Sequence, residues 1–199
     1  MKKVKTFIIA ATAALFSIGG TANAQDGTFQ INPSESKVMW TGYKVTGEHT
    51  GTINFNKGSI DLKGGKLIGG TFSIDMASIE TTDLEGEYAG KLNGHLKSDD
   101  FFGVANHPYA TLTITKVASR GENGAYRVTG NLTIKKITKE VKFNLDIDGK
   151  RGMMNGTTDL KIDRSEFNIK YGSGSFFDNL GDKTIYDEFD LEIHFVAKQ

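Results

Sequence analysis

The sequence has no cysteine, two prolines and one tryptophan. Without cysteine there is neither a disulfide framework nor a lipid-modified N-terminal thiol, so the fold is held by its core alone. Catalytic signatures are missing too: no phosphate loop, dinucleotide fingerprint or HExxH occurs. The GSGS run at Gly172–Ser175 lacks the G-x-S-x-G spacing of a nucleophile elbow. Asp99 and Asp100 are adjacent, so their carboxylates diverge, and helix capping accounts for them. His49, His95, His107 and His194 share neither the i, i+4 spacing of a helix face nor the i, i+2 spacing of a strand face. They are read as solvated or loop histidines, so no metal, no other cofactor and no enzymatic activity are expected. No basic cluster is present either, which leaves nothing to attract nucleic acid.

What is present starts with Lys2, Lys3 and Lys5, an apolar run from Phe7 to Ile18, and small residues at Ala22 and Ala24. That order predicts a secretory signal peptide over residues 1–24. The apolar run is too short to cross a bilayer of ~30 Å as a permanent helix, so no stable membrane anchor is expected. Cleavage near Ala24 would deliver residues 25–199 to the periplasm or the medium as a single domain. Without residues 1–24 the balance is 21 basic against 24 acidic side chains, a net charge of −3.

From Gln30 onward the apolar period is two. Gln30–Pro33, Lys37–Val45, Thr50–Phe55, Ile60–Leu62 and Phe72–Met76 read as strands, with a hairpin signal at Gly64-Gly65. Leu112–Ile114, Tyr126–Ile134, Val141–Ile147, Gly156–Asp163 and Phe189–Phe195 continue the alternation. Strands apolar on one face and joined by short Gly, Asn and Asp turns are antiparallel. With little helix to cover them they must close on themselves as a barrel or a sandwich. About eight strands leave an interior that side chains just fill or that holds one small ligand.

One stretch departs from the period. Between Thr82 and Pro108, Leu84, Tyr88, Leu92 and Leu96 recur every four residues, with Lys91 and His95 on the same face. Thr82 and Glu85 have capping-box spacing, so a helix is predicted from Thr82. Ser98 caps a second short turn carrying Phe101 and Phe102, and Asn106-His107-Pro108 returns the chain to a strand. The unit reads as a plug over a barrel opening.

Several blocks, in order, resemble the YceI-like family of exported, lipocalin-like, polyisoprenoid-binding proteins. They are Asn32-Pro33 with Ser36, the Trp40–Lys44 run with His49 and Gly51, HLKSDDFF at 95–102 with His107-Pro108, GNLTIKKITKEV at 130–141, IDRSEFNIKYGS at 162–173, and FFDNLGDKTIYDEFDLEI at 176–193. The resemblance implies an all-β, extended antiparallel β-barrel with one amphipathic helix and short helical turns at its openings. It also implies an apolar channel for an isoprenoid or similar amphiphilic lipid, often in a homodimer. Three positions depart from the family pattern: Lys136 and Asn168 stand where Gly is usual, and Glu35 where His is common. Asn tolerates a left-handed backbone, whereas Lys136 suggests a different turn.

The inward aromatics either line a channel or fill a core, since both require the same alternation. The pairs Phe101-Phe102 and Phe176-Phe177 cannot lie on one strand face and follow short caps, as lids at a barrel mouth would. With the resemblance added, ligand contact is expected of Trp40, Phe72, Ile74, Leu92, Leu96, Phe101, Phe102, Leu112, Tyr126, Phe143, Phe167, Phe176, Phe177, Phe189 and Leu191. Lys44, His49 and Arg164 meet a polar head group or are surface charge. Asp187 has inward parity and needs a donor, for which Arg164 is a candidate. The expected function is an exported carrier or sequestering protein. Its alternative is a barrel filled by its own side chains, serving as an envelope stress or surface interaction module.

Overall fold

The computed structural model describes residues 26–121, 124–150 and 152–199; the expected signal peptide lies outside them. Nine strands and one helix follow in the order β1 Gly27–Ile31, β2 Lys37–Lys44, β3 Gly47–Lys63, β4 Lys66–Thr81, α1 Gly86–Lys97, β5 Tyr109–Ser119, β6 Ala125–Ile134, β7 Ile137–Lys150, β8 Met153–Asp163 and β9 Ile185–Lys198. Strands β2 to β9 pair antiparallel with their neighbours, and β9 returns to β2, closing an eight-stranded barrel. β1 extends the wall below β2, pairing with β3 on one side and β9 on the other.

β3 is one strand of 17 residues, where the alternation predicted two. A bulge between Phe55 and Lys57 is the reason. It shifts the inward parity, so Ile53 and Phe55 above it and Ile60 and Leu62 below it all face the core. Opposite, β4 bulges after Asp75, with Ser78 Oγ donating to the Asp75 carbonyl at 2.6 Å and the Asn54 amide donating to Ser78 Oγ at 2.8 Å. Across this second kink both Met76 and Ile79 face inward.

The helix starts at Gly86, not at Thr82, and the Thr82–Glu85 capping box does not form. The capping groups are engaged elsewhere. The Thr82 amide donates to the Thr50 carbonyl at 2.9 Å, and the Thr81 hydroxyl donates to Asp83 at 2.6 Å. These bonds hold the chain against β3 past the end of β4, until the positive φ of Gly86 (57°) lets it turn into α1. Of the predicted stripe, Leu96 is buried and Leu92 half-buried, whereas Tyr88 is 72% exposed. Asn93 accepts from the Thr81 amide at 2.8 Å and fastens α1 to β4.

The β6–β7 hairpin turns on Lys135 and Lys136, with φ of 49° and 65°. Both central residues being left-handed makes it a two-residue hairpin turn of the primed type, matched to strand twist. Lys136 therefore adopts the backbone that a glycine would supply, contrary to the expectation of a different turn. Asn168 is left-handed as well, with φ 59°, at the end of a 3-10 turn over Arg164–Phe167.

The two barrel ends differ. At the end with β1 and the Gly64-Gly65 hairpin, Phe29, Ile60, Val128 and Ala197 are shut off from solvent and fill the interior. At the other end, covered by α1 and the 164–184 segment, the strands enclose space.

Candidate functional site

An apolar cavity of about 180 Å³ lies in that second end. Its floor is a chain of aromatic rings, Phe55 to Phe72 at 6.2 Å and Phe72 to Phe195 at 5.5 Å between centroids. Phe195 fits because its ring lies where a side chain at Gly156 would be, and Trp40 fits in the same way against Gly51. Trp40 lines the wall and spends its one polar atom on the Thr52 carbonyl, with Nε1 donating at 3.3 Å. Ile74, Leu112, Leu132, Phe189, Leu191 and Ile193 point inward yet are only half-buried, because they border the void.

The roof is the plug. Phe101 and Phe102 are buried, stacked edge to face at 5.1 Å, and join Leu96 in the lining. Lys135 from the β6–β7 hairpin pins this turn, Nζ donating to the Phe101 carbonyl at 2.7 Å and the Asp99 carbonyl at 3.2 Å. The His95 ring packs on Phe101 at 5.5 Å and on Tyr171 at 4.3 Å, joining α1 to the 164–184 segment.

Among the described residues Arg164 is the one charged group of the lining, and it is 2% exposed. Its guanidinium donates to the carbonyls of Ile169 (2.8 Å), Ile185 (2.9 Å) and Tyr186 (3.1 Å), and lies 5.4 Å from the Phe101 ring centre. Asp187 Oδ1 is 3.4 Å from Nη2, within ion-pair range but not aligned for a hydrogen bond, while its Oδ2 accepts from Ser175 at 2.6 Å. Burial pushes the Arg164 pKa down, and Asp187 and Asp163 work against that shift. The arrangement locks the 164–184 segment onto β9 and leaves the cavity with almost no polar surface. It can hold hydrocarbon.

Ten of the fifteen residues expected to touch a ligand are brought together here: Trp40, Phe72, Ile74, Leu96, Phe101, Phe102, Leu112, Phe143, Phe189 and Leu191. Five are not. Leu92 lies one turn too far from the helix end, and Phe167 is fully buried inside the 3-10 turn. Tyr126 sits in the filled end, where its hydroxyl accepts from the Leu67 amide at 3.2 Å. Phe176 and Phe177, 42% and 50% exposed, face outward, because both amides donate to the Ser173 carbonyl and the tight turn turns the rings away. Of the head-group candidates only Arg164 lines the cavity. Lys44 ends β2, and His49 is 2.8 Å from Asp83 on the outer wall. There burial works to raise the Asp83 pKa, but hydrogen bonds from Thr81, His49 and the Thr50 amide outweigh it and hold it below the ordinary value.

Met76, Ile79, Tyr43 and Tyr186 line the cavity without having been expected to. Met76 keeps the parity of Phe72 and Ile74, but the β4 bulge that turns Ile79 in has no simple alternation to reveal it. Tyr43 and Tyr186 come together only because β2 and β9 close the barrel.

Solved structures share this architecture, and the chain has relatives in sequence. A UPF0312 protein of Vibrio vulnificus is 27% identical over 192 residues, covering 87% of this chain and 94% of the relative. One from Pectobacterium carotovorum is 39% identical over 72 residues, 36% of each chain. The first relatives are matched over 36% to 65% of their own length. The crystal structure of Burkholderia cenocepacia BcnA superposes with a TM-score of 0.69 at 24% identity, covering 84% of this chain and 99% of that one. A Saccharophagus degradans structure described as a polyisoprenoid binding domain gives 0.65 at 15% identity, covering 87% and 99%. Residues 29–197 match the YceI-like domain, and the chain belongs to that family.

Proposed function

We propose that the protein is an exported carrier or sequestering protein that holds an isoprenoid or other long amphiphilic lipid in its barrel, and that it is a binding protein, not an enzyme. The observation that carries this reading is the apolar cavity roofed by Phe101 and Phe102. The Saccharophagus domain described as binding polyisoprenoids supports the choice of ligand class. A barrel filled by its own side chains is disfavoured, because the filling stops at the Phe55–Phe72–Phe195 floor.

Size sets the mechanism. An engineered dry cavity of ~150 Å³ takes one benzene, so about 180 Å³ accommodates roughly one to two isoprene units. At ~0.8 kcal/mol per buried methylene, two such units contribute roughly 8 kcal/mol, which association costs of about 4–15 kcal/mol largely cancel. Tight binding therefore requires a longer chain, admitted when Phe101 and Phe102 swing outward. Specificity resides in apolar length, with Arg164 and the Tyr43 and Tyr186 rims nearest the polar end.

Trp40 is the sole tryptophan and lines the cavity, so its emission reports occupancy directly. Titration with geranylgeraniol is expected to give a saturable change at one molecule per chain. Emission that does not respond to any isoprenoid alcohol would refute the reading.

A further inference from the structure

Half of the large apolar side chains exposed among the described residues lie on one rim: Val45, Tyr171, Phe176, Phe177 and Tyr186. Backbone bonds join them into one surface. The Val45 amide donates to the Thr184 carbonyl at 3.1 Å, the Ile185 amide to the Gly172 carbonyl at 2.8 Å, and the Phe176 and Phe177 amides to the Ser173 carbonyl. The rings are held outward and not merely loose. Ser173 is fully buried, Ser175 is tied to Asp187, and Lys170 Nζ sits 4.9 Å from the Phe176 ring centre. The rim is continuous with the cavity, since Tyr186 belongs to both and its neighbour Ile185 lines the cavity.

From this we infer that the rim is a docking surface for a lipid bilayer, through which a chain passes between membrane and cavity. The inference rests on the carrier reading for the direction of traffic, but the docking surface itself stands on the rim. Outward aromatics beside long basic side chains suit the bilayer interface, where rings sit at headgroup level and ammonium groups reach water. Exposed apolar clusters at a mouth mark an interaction site. Charge points to a neutral membrane surface: Lys44, Lys170 and Lys183 are more than offset by Glu48, Glu166, Asp178 and Asp182, so attraction to anionic lipid is not what holds the protein there.

The test is co-flotation of the protein with phosphatidylcholine–phosphatidylethanolamine vesicles, comparing the wild type with F176S/F177S. Both rings are about half exposed, so the double variant should keep its fold and melting curve. Its partitioning should fall roughly tenfold to a hundredfold, with wild-type binding unchanged between low and high salt. Equilibrium uptake of geranylgeraniol delivered from ethanol should be the same in both proteins. A wild type that does not float, or a variant that floats equally well, overturns the docking surface. So does a wild-type dimer that the double substitution splits into monomers, which assigns the rim to a second copy. A protein that floats but takes up no geranylgeraniol leaves the docking surface standing and removes the carrier reading.

Discussion

Ala110 lies on β5 opposite Ile74, buried and bordering the cavity, and Ala110→Phe would fill the space from the wall. Two energies decide what happens. Burying a phenyl ring in empty apolar space contributes ~1.5–3 kcal/mol, less about 1 kcal/mol for fixing its rotamer. Forcing the same ring into a packed interior instead costs about 1–3 kcal/mol or more. A hollow barrel therefore predicts a variant between neutral and roughly 2 kcal/mol more stable. For a chain of this size that is a melting temperature unchanged or up to about 8 °C higher. At the same time geranylgeraniol binding, followed by Trp40 emission, should weaken by more than tenfold, because the ring occupies the ligand's volume. Thermal melts with titrations on the same preparations read both quantities. A variant destabilised by several degrees shows that no usable space exists beside Ala110. One that is stable yet binds normally shows that the ligand sits elsewhere.

Other substitutions probe the roof and the wall. Arg164→Met removes three hydrogen bonds and leaves Asp187 without its cation, so a loss of about 3–5 kcal/mol is expected in chemical denaturation; a loss below about 1 kcal/mol would show that the guanidinium is not the lock described. Lys135→Met frees the Phe101 turn at a cost of about 1–3 kcal/mol, and stopped-flow mixing should show geranylgeraniol binding several-fold faster, whereas an unchanged rate argues against an opening roof. The Asp83 pKa is held below its ordinary 3.8, so its ionised form contributes stability at pH above that value, lost as pH falls through the folded pKa. Melting temperature measured from pH 6 to pH 2 should fall less steeply for Asp83→Asn than for the wild type; parallel curves would remove Asp83 from the acid limb.

Most of the wall was legible because alternation is a local property. Phe189, Leu191, Ile193 and Phe195 declare their face without reference to any other strand. Legibility fails where geometry is set across strands. The Phe55/Lys57 bulge changes parity within β3, which makes one strand look like two, and its counterpart in β4 hides Ile79. The helix start is hidden because Thr81, Thr82 and Asp83 bond to β3, a partner that the capping-box pattern does not contain. The two Phe pairs show the limit most clearly. Each follows a short cap in the sequence, yet the Ser98 turn points Phe101 and Phe102 into the barrel while the Ser173 turn points Phe176 and Phe177 out. Where the filled end stops and the hollow end begins depends on which residues meet after closure, and Tyr126 fell on the filled side for that reason.

The most direct test is to release the protein from its native cells without detergent, purify it, and identify by mass spectrometry what organic extraction removes from it. The account predicts an isoprenoid or comparable long-chain lipid near one molecule per chain, and much less from the Ala110→Phe variant. Protein that is free of lipid as isolated, and remains so after incubation with isoprenoid-containing membranes, would contradict it.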